Sequence, residues 1–174
     1  RFPLGFFLLF FAYFFLTAYR DFRDNYGVEI FAELGYQDEP ALFTQTELPV
    51  AFAVVVVLGL LNLVRSRRGG LAATYGVMIA GLLLLGASTW LRTSGAIDGA
   101  TWMIATGLGS YLAYVPYGSV LFDRLLAKTG VAGTAVFAIY VADALGYTGS
   151  VALQLYRDLA HADVSRLAFF DGFT

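Results

Sequence analysis

The sequence predicts an all-α protein, a polytopic bundle of transmembrane helices that crosses the bilayer several times. Of the 174 residues, 59% are hydrophobic and only 14% are charged, whereas an average soluble domain carries about 25% charged residues. The mean hydropathy is +0.69, and Phe, with 16 residues, and Gly, with 19, are both frequent. Glycine is common in membrane helices because it lets backbones approach closely. The lipid bilayer is therefore the expected surrounding of this chain.

Five segments are long enough to span a bilayer, because a helix needs roughly 20 apolar residues to cross it. We expect five full spans plus a truncated sixth in a single domain, residues 1–174. The chain begins with Arg rather than Met, so it is expected to be a fragment. The first apolar run exceeds a signal-peptide core of about 7–15 residues and is interpreted as a span. The predicted spans are 2–19, 47–64, 71–91, 101–122 and 131–156, with a partial helix at 166–174.

The long connection between the first two spans, residues 20–46, also carries a helical pattern. Tyr26, Ile30 and Leu34 recur every four residues. This spacing predicts that the first helix continues past the membrane, or that a short amphipathic helix lies on the surface. Gly35 is the expected end of that helix.

The second span has recognisable start signals. Thr46 is the expected N-cap, which places Pro49 in the first turn, where its missing N–H is harmless. Thr44 and Glu47 also fit a capping box. That register would push Pro49 deeper into the helix, so Thr46 is preferred.

Basic residues in the short loops predict the orientation. If Arg1 is cytoplasmic, the turn after the second span is cytoplasmic too, and it contains Arg65, Arg67 and Arg68. Six basic residues then lie inside and five outside, with residues 20–46 on the outer side.

Four charges follow the first apolar run, in the order Arg20, Asp21, Arg23, Asp24. Residues four apart are neighbours on a helix, so Arg20 is predicted to contact Asp24, or both to contact polar groups of another helix. The cluster has three interpretations: a solvated helix end with weak ion pairs, a polar network facing a water-filled cavity, or a protein-binding face. Arg92 is taken as an isolated loop charge, less important than Arg20.

Asp143 lies near the middle of the fifth span, where an acid costs about 2.5–3.5 kcal/mol on insertion scales. It must therefore face the first or fourth span rather than lipid. Tyr140 is three residues before it, on the same side of a helix, and the leading hydrogen-bond partners are Tyr114, Tyr117 and Tyr140. Two roles are open: a proton-coupling carboxylate, or a neutral structural link between helices.

The fourth span is rich in glycine and tyrosine and contains Pro116, which favours a kink. Such helices line cavities in transporters. The alternative for its tyrosines is interfacial anchoring, which fits Tyr114 poorly because of its depth.

Several classes of protein and site are disfavoured by composition. The absence of Cys excludes disulfides and thiolate chemistry, and the single His161 excludes a His-based metal cluster within this chain. The net charge of −2 makes nucleic acid an unexpected partner. With no catalytic motif visible, we expect neither an enzyme nor a cofactor.

The layout resembles one six-helix half of a major facilitator superfamily transporter. That superfamily places a basic loop between the second and third helices of each half, and Arg65, Arg67 and Arg68 match its basic end, although the acid of the motif is missing. The sequence is also similar to an uncharacterised family of bacterial major-facilitator-like proteins. The similar segments are "YRDFRDN" at 19–25, "FTQTELP" at 43–49, "YVPYGSVLFDRLLA" at 114–127 and "YVADALGYTGS" at 140–150.

The resemblance implies a C-terminal half in the inner membrane of a bacterium, paired with a missing N-terminal six-helix half or another membrane subunit. The expected function is secondary transport of an unknown small solute by alternating access, with proton coupling as a hypothesis. The alternative is a non-transporting accessory or structural subunit of a larger membrane complex. Candidate substrate or coupling residues are Asp143, Arg20, Asp24, Tyr114, Tyr117 and Tyr140, and Asp21 and Arg23 complete the charged network.

Overall fold

The computed structural model describes residues 3–39, 41–129 and 134–174. These residues form helices and contain no strand, which confirms the all-α prediction. Arg1, residue 2 of the first predicted span and residues 131–133 of the fifth lie outside this part of the chain. The helices are α1 (Pro3–Asn25), α2 (Gly27–Phe31), a π-helical turn (Ala32–Tyr36), α3 (Leu42–Leu63), α4 (Arg67–Thr93), α5 (Gly99–Pro116), a second π-helical turn (Tyr117–Leu121), α6 (Phe122–Thr129), α7 (Ala135–Ala160) and α8 (Arg166–Phe173).

Four helices of the described residues are long and apolar enough to cross a membrane, namely α1, α3, α4 and α7. By their length and composition, these helices indicate a membrane protein. The predicted span at 101–122 is helical but is not among the four, and it is divided. Pro116 ends α5, and a π-helical turn follows it before α6 begins. A proline removes one hydrogen bond of the helix, and π-helical turns occur where the regular helical pattern is interrupted.

The connection after α1 is helical, as the four-residue spacing predicted. Ile30 is fully buried and Phe31 nearly so, because α2 turns its apolar side onto the bundle. Gly35 ends the helical course with a φ of 98°, a left-handed conformation that favours glycine.

The start of α3 corrects the predicted cap. The helix begins at Leu42, and Thr46 lies inside it, where its hydroxyl donates to the carbonyl of Phe43 at 2.8 Å. Ala41, the residue before Leu42, already has helical φ and ψ, so the helical conformation starts before Thr46. Pro49 consequently sits deeper than the first turn.

Glycines bring two helix pairs into close contact. A Cβ placed on Gly81 of α4 would lie 2.5 Å from the Gly109 carbonyl oxygen of α5. A Cβ on Gly146 of α7 would lie 2.5 Å from the Thr17 hydroxyl of α1. Small residues let membrane helices approach backbone to backbone, so these positions fix how α1 and α7, and α4 and α5, are rotated against each other.

Candidate functional site

A polar stripe runs along one face of α1. Tyr13, Thr17, Arg20 and Asp24 are spaced by four, three and four residues, so their side chains stand above one another on the helix. Arg23 lies about 100° around the helix from Asp24 and points toward other neighbours. The two arginines of the charged cluster therefore have different surroundings.

Arg23 is the most deeply buried member of the cluster, with no exposed side-chain surface. Its Nη2 donates to Oε1 of Glu47 on α3 at 2.5 Å and to the carbonyl of Met103 on α5 at 2.8 Å. Its Nη1 donates to Oδ1 of Asp24 at 3.1 Å. Gly107 makes room for the guanidinium, since a Cβ there would lie 2.5 Å from Nη2. Arg23 thus joins α1, α3 and α5.

Arg20 has a different set of contacts. Its Nε donates to Oδ1 of Asp21 at 3.0 Å, whereas its separation from Oδ2 of Asp24 is 3.9 Å. The predicted Arg20–Asp24 contact is therefore a long ion pair, and Asp21 is the hydrogen-bonding partner. The guanidinium also lies over the ring of Tyr114, 4.0 Å from its centroid, in a cation–π contact.

Asp24 completes the cluster by accepting a hydrogen bond from Tyr111 on α5 at 2.7 Å. The side chains of Arg20 and Asp21 are only 14% and 15% exposed. These values disagree with a solvated helix end, which would leave the charges in water. The cluster is instead an interhelical polar network.

Arg92 is not an isolated loop charge, contrary to the prediction. It forms an ion pair with Asp171 of α8, and its guanidinium lies over the ring of Trp102, 4.3 Å from the centroid. Sequence reasoning missed this because Asp171 is 79 residues away along the chain.

Asp143 faces α1, one of the two predicted neighbours, and its partner is Tyr13. The Tyr13 hydroxyl donates to Oδ1 of Asp143 at 2.5 Å. Tyr140 was the wrong candidate, since it is 68% exposed. With about 100° per residue, Tyr140 lies roughly 60° beyond Asp143, away from the buried side of α7 that contains Ala142 and Gly146.

Tyr114 and Tyr117, the other proposed partners, form no hydrogen bond with Asp143 in the described part of the chain and are connected to it through Tyr13. Their rings pack against the ring of Tyr13 at centroid distances of 5.0 and 4.8 Å. Tyr114 therefore touches both Tyr13 and Arg20. One continuous set of contacts runs from Asp143 on α7 to Glu47 on α3 through α1 and α5.

The basic turn after α3 lies at the other end of the helix bundle from the charged cluster. Arg65 and Arg68 are exposed, and the side chain of Arg67 lies outside the part that the structure describes. Arg124 of α6 lies near this turn and donates to the carbonyl of Leu61 at 2.7 Å and to the carbonyl of Gly70. It thereby ties the end of α3 to the start of α4, and a cation at the end of a helix is favourable.

Four site residues were missed from the sequence: Tyr13, Glu47, Tyr111 and Arg124. A signal existed for Tyr13, which carries the only hydroxyl between residues 2 and 16. Glu47 was considered only as a capping residue. Among the described residues, no group of three or more His, Cys, Asp or Glu side chains is arranged to hold a metal ion.

The whole chain, residues 1–174, matches DUF5690, a family of unknown function, and belongs to it. No curated protein matches the sequence. No solved structure matches it either.

Proposed function

We propose that this protein forms half of a secondary transporter that moves a small solute by alternating access, with Asp143 as a proton-coupling carboxylate. The single observation that carries the proposal is the Tyr13–Asp143 hydrogen bond between two membrane-spanning helices. Ionisable side chains inside membranes are costly and are usually retained for ion or substrate paths.

The chemistry of this pair ties protonation to helix contact. An ionised Asp143 can only accept hydrogen bonds, so it matches the hydroxyl of Tyr13, whereas a protonated Asp143 also carries a donor. Taking up a proton therefore changes the contact between α1 and α7. A solute that binds one arrangement better would shift the population between the two, which is the basis of coupling.

The remaining polar side chains supply a place for the solute. Tyr114 links Asp143, through Tyr13, to Arg20, and Asp24 and Tyr111 continue the path. In this proposal Tyr117, in the π-helical turn after α5, flanks the solute pathway. Tyr140 does not, because it lies away from the buried side of α7. The network offers both hydrogen-bond donors and carboxylates, so a small polar solute fits it better than an apolar one.

The proposed topology has five spans, with residues 101–122 as the fourth and α8 as the beginning of a sixth. The basic turn with Arg65 and Arg68 is placed in the cytoplasm of a bacterium, with this chain in the inner membrane. A six-helix N-terminal half, or another membrane subunit, completes the transporter. The support is the resemblance to the major facilitator superfamily together with the order and lengths of the helices.

Proton movement in proteoliposomes tests the proposal. The intact protein is reconstituted with a pH-sensitive dye inside the vesicles, and pools of small polar solutes are added outside. We expect at least one pool to drive proton entry, and Asp143→Asn to abolish it, because Asn keeps the shape but cannot ionise. Asp123→Asn is the matched control, since Asp123 is an exposed acid on α6. Wild-type proton entry in the Asp143→Asn protein would contradict the assigned role.

A non-transporting accessory subunit is the second candidate, and the environment of Arg23 favours it. Arg23 is fully buried and bonded to three helices, which is the arrangement expected of a rigid structural element. In that case Asp143→Asn should leave the activity of the larger complex unchanged, and Asp143→Leu should lower stability by stranding Tyr13.

A further inference from the structure

α8 follows α1 in the opposite chain direction. Successive residues of α8 contact successively earlier turns of α1, so α8 runs from the C-terminal end of α1 toward the middle of that helix. The pairs, in order, are Arg166 over the ring of Tyr26 at 4.7 Å, Phe169 against Phe22 at 5.2 Å, and Phe173 against Tyr19 at 5.8 Å.

Polar contacts near both ends of α8 fix its orientation against α1. Although burial opposes its ionisation, the pKa of Glu33 is held below its usual range by the N–H groups of Leu167 and Arg166, which donate to it at 2.9 and 3.1 Å. This carboxylate therefore fixes the beginning of α8 on the segment after α2. Near the other end, Asp171 pairs with Arg92 of α4. α8 thus lies between the C-terminal ends of α1 and α4.

An apolar groove of about 370 Å³ continues from the end of α8. Phe173 and Thr174 line it together with Tyr19. Its walls come from the next turns of α1 and α4, in the direction that α8 already follows. The wall residues are Ala12, Phe15 and Leu16 on α1 and Leu82, Leu85 and Gly86 on α4.

We infer that this groove, the α1–α4 groove, is the docking surface of a further apolar membrane helix that lies in line with α8 and antiparallel to α1. The groove is continuous with the interface between α8 and α1, so a helix placed there extends an existing packing. Ala12 and Gly86 are small, and small residues allow the close approach that favours a helix. A lipid chain has no helical backbone, so it would not require small residues in the wall of the groove. This inference does not depend on transport.

Spin labels on single cysteines test it, because the chain has no native cysteine. Leu82→Cys lies in the groove, and Leu83→Cys is the matched control on the next residue, at almost the same depth. In the structure these side chains are 49% and 67% exposed, a small difference. In the intact protein reconstituted in lipid, we expect the label at position 82 to collide with oxygen several-fold less often than the label at position 83.

Equal oxygen accessibility at positions 82 and 83 would mean that lipid chains fill the groove and would overturn the inference. Strong dipolar broadening between labels at position 82 of different molecules would identify a second copy as the occupant and would also overturn it. Ala12→Cys repeats the measurement from the α1 wall if the Leu82→Cys protein fails to fold. Protection at position 82 or 12 without broadening supports the further helix, whatever the result of the proton measurement.

Discussion

Replacing Arg23 with methionine removes the cation at the centre of the interhelical polar network. Methionine fills a similar volume, so the main effect is on the carboxylates of Glu47 and Asp24, which lose their shared partner. Breaking a buried ion pair from one side costs about 3–5 kcal/mol. The two carboxylate side chains are 25% and 29% exposed, so water reaches them in part. We therefore expect Arg23→Met to lower the free energy of unfolding by about 3 kcal/mol, at the lower end of that range.

A second substitution separates this effect from a general packing defect. Glu47→Leu alone leaves Arg23 with Asp24 and the Met103 carbonyl, and we expect an intermediate loss. Combined with Arg23→Met it removes both charges, and replacing a buried pair by apolar residues is often close to neutral. The double variant should therefore be more stable than Arg23→Met by about 1 kcal/mol or more.

Equilibrium unfolding in bicelles is the appropriate assay, with helical circular dichroism as the signal. Arg65→Met is the control, because Arg65 is exposed and has no ion-pair partner among the described residues; its change should stay within about 0.5 kcal/mol. A loss of stability in Arg23→Met no larger than that in Arg65→Met would contradict the role assigned to Arg23, and so would a double variant with Glu47→Leu that is less stable than Arg23→Met alone.

Three further predictions concern helix contacts. Gly146→Ala places a methyl group against the hydroxyl of Thr17 and should cost about 1–3 kcal/mol, whereas Gly76→Ala, which meets open space, should not destabilise; equal melting temperatures would contradict this. Glu33 has a lowered pKa, so its contribution to stability is present above the ordinary Glu pKa of about 4.3 and is lost as the pH falls through the folded value. Acid should therefore help to release the C-terminal segment, which proteolysis measures. Glu33→Gln should remove the share of this pH dependence that comes from Glu33. Arg124→Lys cannot reach both carbonyls that Arg124 holds and should lower stability by about 2 kcal/mol in thermal unfolding; an unchanged melting temperature would show that Arg124 is not a tie between α3 and α4.

The helices could be predicted because they depend on local properties. The length of each apolar run reports whether a helix can cross the bilayer, and the four-residue spacing after α1 reports one buried side. The ends were harder to predict: Thr46 has the chemistry of a cap, yet α3 begins at Leu42 because the helical backbone conformation extends to the preceding residue. The residue types near the start of α3 do not show where the helical conformation starts.

The burial of the two arginines could not be predicted, because the sequence gives them nearly the same neighbours. Arg20 and Arg23 are each followed directly by an aspartate. Only Arg23 meets Glu47 and the open position at Gly107, which are 24 and 84 residues further along the chain. The direction in which each side chain leaves α1, together with the packing of α3 and α5, decided which arginine is buried.

The amino-acid sequence indicates an all-helical membrane protein, and it predicts that Asp143 does not face lipid, because an acid in hydrocarbon is too costly. The identity of its partner, Tyr13, follows from the packing of the helices. The small residues of α7 set its rotation against α1, and that rotation turns Tyr140 outward. A partner on another helix depends on how two helices are rotated and shifted against each other, and this is fixed by close packing between residues distant in sequence.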